Sequence, residues 1–453
     1  MLIVITTNIE PRERIGSPAY RMTTIGSVAL ISLFAFEVLA VSTAMPVAAA
    51  ALDGLNLYAL AFGAPLAAGV IGMVLGGPWS DRSGPGPATW AGLSAFVLGL
   101  LVAGAAQTMV QLVVGRTLQG AGSGLVIVAL YVVVGREYPA ELHPHIFAAF
   151  STAWVLPSLV GPAIAGLLAE HVGWRWVFLG VPAIAIPAAL LLRPALTRLT
   201  DPGESGGEGL GPLRWAVLAA VSAGTLHVAG QHVSVTGAVL LGLGLLGLGL
   251  ALPRLLPTGV FRAARGLPAV ITLRGLFAAG FFTAEVFIPL MLIRERGLSP
   301  SLAGIALTVG ALSWSIGSNL QARISSPARR PAILRSGASM IAVAIAVSVI
   351  TAVLPVPTPA LVVAWGLAGL GMGMAHPTLS MLALSLAPSR RQGEASAALQ
   401  ISDSMTTSVA LAVSGSIFAV LVTVSAPLAF LASFLLALAF ALGAASLADR
   451  VRP

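Results

Sequence analysis

Five ionisable side chains stand where hydropathy leaves little room for charge. They are Glu37, Arg116, Arg274, Glu285 and Asp403, each inside a long apolar stretch. A charge at the centre of a membrane-spanning helix costs at least ~2.5–3.5 kcal/mol on insertion scales, so each calls for a partner, a wet cavity or a task. At a rise of ~1.5 Å per residue, Glu37 lies roughly 20 Å above the edge at which its stretch begins. Arg116, on a stretch running the other way, lies roughly 22 Å above the same edge, so the two are expected to meet. Arg274 and Asp403 both come out roughly 9 Å above that edge and are expected to pair as well. Glu285 falls about 25 Å up, with no basic residue at its level. Desolvation disfavours the charged form of a carboxylic acid, so an acid in an apolar cavity can exchange a proton near neutral pH. The chemistry on offer is therefore proton binding by Glu37, Glu285 or Asp403, with Arg116 setting which state of Glu37 is preferred. Blander readings stand beside it. Glu37–Arg116 can be a static buried pair, Glu285 a cavity acid that attracts cations without titrating, and Asp403, close to Glu394, a group that reaches water.

The elements that must position these residues are apolar helices. Of 453 residues, 57% are hydrophobic and 9% charged, against roughly a quarter charged in an ordinary soluble domain. That excludes a cytosolic globular enzyme, a disordered chain and a secreted disulfide scaffold. There is no cysteine, hence no disulfide, thiolate metal site or thiol nucleophile. All basic residues are arginine, which removes Schiff-base and P-loop lysine chemistry. Stretches long enough to cross ~30 Å of hydrocarbon are expected at 24–46, 57–76, 88–108, 111–134, 146–169 and 174–193. A short Gly-rich pair follows at 214–230 and 235–252, then six more at 268–293, 300–322, 332–355, 359–386, 397–424 and 427–447. The fold class is thus an all-α polytopic membrane protein of two six-helix bundles. It has fourteen spans, or twelve if the short pair does not cross. The domains are a lead-in and first bundle at 1–196, a linker with the inserted pair at 197–267, and a second bundle with a short tail at 268–453. The polar linker itself runs from Thr197 to Leu213.

Nineteen of the 24 arginines fall on the side carrying both termini, among them Arg12, Arg14, Arg21, Arg82, Arg136, Arg193, Arg198, Arg262, Arg265, Arg329, Arg330, Arg390 and Arg391. Arg175, Arg294 and Arg296 fall on the other side. The positive-inside rule then places both termini in the cytoplasm. The net charge of +8 reports topology, and no nucleic-acid partner is expected. Arg21 with the apolar run after it imitates a secretory signal, but cleavage there would remove a span and break the alternation of arginine. Residues 1–21 read as a polar lead-in, with Met22 as an alternative start to Met1. His143 and His145 form the one close histidine pair, on a polar loop. No third ligand stands near them, and no metal site is expected.

The halves repeat each other. Glu37 in the first span corresponds to Glu285 in the first span of the second bundle, and Gly120, Gly122 and Gly124 correspond to Gly369, Gly371 and Gly373. Two bundles of one orientation point to a site between them that opens to alternate sides.

Several motifs resemble those of the major facilitator superfamily, in its drug–proton antiporter branches. The stretch Gly76 to Gly84 (GGPWSDRSG) is similar to the superfamily's loop signature between spans 2 and 3, carried here by Gly77, Asp81, Arg82 and Gly84. The basic residues that usually follow are replaced by Pro85, Gly86 and Pro87. Arg116 to Gly120 (RTLQG) is similar to the fourth-span signature. Gly161, Pro162 and Gly166 (GPAIAG) are similar to the fifth-span antiporter signature, with Pro157 and Ala165 at positions where glycine is usual. Trp174 to Phe178 (WRWVF) is typical of the same group. Glu37 and Pro46 resemble the Asp…Pro pattern of the fourteen-span branch, with Glu in place of Asp. The resemblance implies a proton-coupled exporter of lipophilic or cationic drugs in a bacterial inner membrane, driven by the proton gradient with no cofactor and working as a monomer.

In that setting Asp81 and Arg82, at a tight turn between Gly77 and Gly84, could lock a gate through Arg136 or Glu137. They could also be a solvated loop pair worth ~0–1 kcal/mol. Gly161–Pro162 is a tight, kinked helix contact, or a plain kink. Trp154, Phe282, Phe287, Trp314 and Met372 are candidates for a substrate cavity, and each could equally face lipid. Two rivals remain: the same fold moving an endogenous lipid, metabolite or nutrient, and a polytopic membrane enzyme.

Overall fold

The computed structural model describes residues 14–199, 211–230, 235–324, 326–388 and 392–452. Arg12, Arg390, Arg391, Met1 and the middle of the linker, 200–210, lie outside the described residues. Those described form helices and connecting turns. In chain order the helices are α1 (Arg21–Ala51), α2 (Leu60–Ser83), α3 (Pro85–Gly104), α4 (Met109–Glu137), α5 (His143–Thr152), α6 (Val155–Leu168), α7 (Trp176–Leu179), α8 (Pro182–Leu190) and α9 (Arg193–Arg198). Next come α10 (Gly211–Ala229) and α11 (Val235–Leu255). The second bundle is α12 (Leu267–Arg294), α13 (Pro300–Ala322), α14 (Arg330–Val353), α15 (Thr358–Leu386), α16 (Gln392–Leu421) and α17 (Ala426–Leu447).

Twelve helical segments among the described residues are long and apolar enough to cross a membrane. They include α11 but not α10, and the segment Trp176–Leu190 is apolar but shorter. Counting or omitting these last two changes the total by an even number, so the orientation of every other helix is unaffected.

The fifth and sixth spans differ from the unbroken helices expected at 146–169 and 174–193. The first is divided into α5 and α6, ending in a π-helical turn over Ala169–Gly173, and the second into α7, α8 and α9. Pro157, Pro162, Pro182, Pro187 and Pro194 lie along this stretch. Each removes a backbone donor and crowds the preceding turn; Pro157, Pro182 and Pro194 stand within the first three residues of α6, α8 and α9, while α6 and α8 run on past Pro162 and Pro187. The stretch Gly77–Ser83, expected as a loop, is instead the last turns of α2. Its C-terminal arginine, Arg82, complements the partial negative charge there. The turn is confined to Gly84, whose φ of 72° is a left-handed value that only glycine adopts readily.

The two glycine triplets do the same work in each half. A Cβ on Gly120 or Gly124 would fall 2.1 Å from a backbone oxygen of α2 (Pro65 or Gly69), and one on Gly122 would fall 2.5 Å from Gly92 O of α3. In the second half, a Cβ on Gly369 or Gly373 would fall 1.9 or 2.0 Å from a backbone oxygen of α13 (Gly310 or Trp314), and one on Gly371 would fall 2.5 Å from Gly337 O of α14. So α4 is clasped by α2 and α3 as α15 is by α13 and α14, backbone against backbone. This is how helices associate when lipid supplies no hydrophobic drive between them.

The halves meet toward the face opposite the termini. Tyr58 Oη donates to Val286 O (2.8 Å), Ser408 Oγ to Gly63 O (2.9 Å), and Ser301 Oγ to Glu170 Oε2 (2.6 Å). Helix α10 bridges them: Ala219 and Ala223 pack in one apolar cluster with Ala67 and Val70 of α2 and Ile401 and Met405 of α16. Helix α11 lies outside α10, with Gly244 and Gly247 buried against it and Leu243, Leu245, Leu246 and Leu250 exposed on its outer side.

Candidate functional site: buried charges of the two bundles

In the first bundle, Arg116 is held one turn before the Gly120 clasp, so its side chain enters the helix packing where the backbones are closest. Its Nη1 pairs with Glu37 Oε1 of α1 and also donates to Gln119 Oε1 (3.1 Å). Its Nε donates to Ala61 O of α2 (3.2 Å). Arg116 and Glu37 are each only 5% exposed. The pair thus ties α1, α2 and α4 together with its charges compensated. The meeting expected from depth alone is the one observed. Gln119 and the Ala61 carbonyl were not anticipated, because neither carries a charge.

In the second bundle, Arg274 Nε donates to Asp403 Oδ2 (2.7 Å), again as the depths require. Its Nη1 donates to His376 O and Ser380 Oγ (3.2 Å each), and its Nη2 to Gln400 Oε1 (3.4 Å). His376 joins the group through Nε2, 3.6 Å from the same Asp403 Oδ2, and its ring centroid lies 5.4 Å from that of Trp314. Sequence reasoning missed His376 by considering only formal charges. The available signal was that it is the one titratable residue in the apolar stretch 359–386. Pro377 follows it, and lacking an N–H it cannot bond Gly373 O. That carbonyl accepts from Ser318 Oγ instead (3.1 Å).

Glu285 lies eleven residues beyond Arg274 on α12. Eleven residues are close to three full helical turns, so the two share a face about 16 Å apart. Glu285 makes no hydrogen bond or ion pair among the described residues. The repeat supplies the reason. Arg116 stands four residues before Gly120, and four before Gly369 stands Trp365. Trp365 is fully buried and stacks on Phe281 (4.8 Å), so an aromatic ring occupies the place from which a counter-ion serves Glu37.

Of the cavity candidates, Phe282 and Trp314 are half-buried beside the His376 group, with ring centroids 6.3 Å apart. Trp154 is exposed at the start of α6. Phe287 and Met372 are fully buried and do not face a cavity. Phe287 packs among Tyr58 and Phe418, and Met372 lies between the clasping glycines of α15.

At the termini-bearing face, Asp81 Oδ1 accepts from Arg136 Nη2 (3.4 Å), which also reaches Ser80 O. Glu137 pairs with Arg198 instead, and Arg82 is exposed. A Cβ on Gly77 would meet nothing within 4 Å, so that glycine makes no close approach. His143 Nε2 lies 2.9 Å from Tyr138 O. Gly166 and Pro162 face the second bundle: a Cβ on Gly166 would lie 2.6 Å from Ser301 Cα, and one on Gly304 would lie 2.9 Å from Pro162 O. Gly161 faces Phe36 and Leu39 of α1 at ordinary contact distance.

Duplicated bundles with buried charges, meeting at one face, are accompanied by a family match over most of the chain: residues 25–410 fit the model of the Major Facilitator Superfamily. The chain belongs to that superfamily. It is 28% identical, over 360 residues and 72% of each chain, to a protein of Mycobacterium tuberculosis named as a probable multidrug-efflux transporter. It is 28% identical over 174 residues to multidrug resistance protein 3 of Bacillus subtilis, covering 38% of this chain and 34% of that one. Among solved structures, a POT family transporter in complex with 5-aminolevulinic acid superposes with a TM-score of 0.69 at 14% identity, covering 95% of this chain and 96% of that one. The superfamily member described here is therefore a multi-pass membrane protein and a secondary transporter, not an enzyme.

Proposed function

We propose that this transporter exports lipophilic, often cationic compounds in exchange for protons, by alternating access between its two bundles. The observation that carries the reading is Glu285, an acid on the Arg274 face of α12 with no counter-ion among the described residues. A carboxyl group in that position can be occupied by a proton or answer a cationic substrate, and exchange between the two is antiport. Glu37, with Arg116 beside it, and Asp403 are the further acids of the coupling set. Asp81 and Arg136 gate the termini-bearing face. The names of the relatives support a drug-like cargo, and the arginine distribution supports a bacterial plasma-membrane location with both termini in the cytoplasm. We assign the segments 1–196, 197–267 and 268–453 as first bundle, linker with inserted pair, and second bundle. In this assignment α10 and Trp176–Leu190 complete fourteen crossings. The driving force is the proton gradient together with the membrane potential, ~2.3 kcal/mol per charge per 100 mV, and no cofactor takes part.

The test is substrate-driven proton movement in everted vesicles with a panel of lipophilic cations. Glu285→Gln is expected to abolish it and to weaken binding of the cations, with protein level retained. Retention of proton movement by both Glu285→Gln and Glu37→Gln refutes the assignment.

A further inference from the structure

The Arg274 group contains two nitrogen-bearing side chains aimed at one oxygen. Arg274 Nε sits 2.7 Å from Asp403 Oδ2 and His376 Nε2 sits 3.6 Å from it. Hydrogen-bond contact is made by the first and falls short for the second. The three differ in access. The side chain of Arg274 is 4% exposed, whereas Asp403 and His376 are 18% and 29% exposed. The guanidinium is therefore buried beneath, and the carboxylate and imidazole form the surface that water reaches.

Among the described residues no other charged group of the bundle competes at this point. Helix α13 carries no charged residue, and on α15 His376 is the sole titratable group. On α14 the charged residues are Arg330, directed at Ser385, and Arg335, paired with Asp449. On α16 Glu394 lies more than two turns before Asp403, and on α12 Glu285 lies three turns beyond Arg274 and Arg294 further still. From the first bundle, the phenol of Tyr131 lies near enough to Arg274 to feel its charge.

We propose that His376 is a second proton-binding site of the transporter, alternating with Arg274 for the Asp403 carboxylate. With Arg274 on Asp403 the imidazole is neutral. When a proton from cavity water binds the imidazole, the imidazolium N–H takes Asp403 Oδ2 and Arg274 Nε releases it. Arg274 keeps its bonds to the His376 carbonyl, Ser380 and Gln400, so the guanidinium is not stranded. Because Arg274 is on α12, Asp403 on α16 and His376 on α15, the exchange moves one ionic link from α12–α16 to α15–α16. Its role in transport rests on the antiport reading; its proton binding does not.

Trp314 supplies a readout that is independent of transport, since a protonated imidazole quenches a neighbouring indole and a neutral one does so far less. The experiment uses the full chain in liposomes, with the Trp314 contribution isolated by subtracting Trp314→Phe from the parent among its eight tryptophans. The parent is expected to lose Trp314 emission on acidification, and His376→Gln to lose that pH dependence. Arg274→Gln, which leaves Asp403 to the imidazole, is expected to move the midpoint to higher pH by about 1–2 units, and Asp403→Asn to move it the other way. An identical pH profile in the parent and His376→Gln overturns the proposal. So does an unmoved midpoint in both Arg274→Gln and Asp403→Asn. If no protein in the series moves protons with substrate while the Trp314 titration behaves as stated, the antiport reading fails and the site stands.

Discussion

Replacing Gly166 by alanine tests how the bundles part. The new Cβ would lie 2.6 Å from Ser301 Cα and 2.9 Å from Ser301 N. Both are backbone atoms of α13 and cannot swing aside. Carbon atoms settle at about 3.5–4.0 Å, so α6 and α13 must separate by about 1 Å. Overpacking of this kind costs ~1–3 kcal/mol. The cost exists only while α6 and α13 are in contact. It vanishes in any conformation that opens the face opposite the termini, so it acts as a differential free energy between two states. Converted at a factor of ten per ~1.4 kcal/mol, the open population rises roughly 5- to 150-fold. The absence of cysteine allows spin labels at Val172→Cys and Leu302→Cys without background, and pulsed electron–electron distances between them report the separation. Gly249→Ala on α11, where a Cβ meets nothing within 4 Å, is the control and is expected to leave the distribution as it was. A Gly166→Ala distribution that superposes on the parent, together with a lowered melting temperature, would show that this seam does not open and that the clash is absorbed inside the bundles.

Two further outcomes follow from the charges. Arg116→Gln leaves Glu37 buried without its counter-ion and is expected to destabilise the first bundle by ~3–5 kcal/mol; Glu37→Gln/Arg116→Gln recovers most of that, as read by thermal unfolding in detergent. Asp81→Asn removes a long, half-exposed ion pair worth about 1 kcal/mol, so its melting temperature moves little, and any change in substrate flux at constant protein level reports gating.

Much of this architecture is legible in the sequence, for identifiable reasons. Helix rise per residue is nearly constant, so counting from span edges put Glu37 level with Arg116 and Arg274 level with Asp403, and both contacts exist. The glycine triplets were visible as a repeat, though only the backbone distances explain them. Other features depended on information that charge and hydropathy do not carry. His376, Gln400 and Ser380 are neutral on paper and were passed over. The run Gly77–Ser83 is polar like a loop but short enough to finish a helix. Three prolines, at the starts of α6, α8 and α9, accompany breaks in two spans that hydropathy reads as continuous. Phe287 and Met372 are as apolar as a cavity wall would be, and only packing distinguishes the two.

The backbone clasps have a mechanical consequence. With Gly120, Gly122 and Gly124 on one side and Gly369, Gly371 and Gly373 on the other, the closest contacts at these crossings are backbone on backbone, with little side chain to shear or re-pack. Each bundle is a stiff lever, and a close-packed interior transmits displacement instead of absorbing it. A helix of 28 residues, the length of α12, is about 42 Å long. Pivoting such a lever by about 10° carries its far end through about 7 Å, wider than a benzene ring. Parting of the Gly166–Ser301 seam is thus carried along the whole length of the bundles instead of being absorbed where it starts.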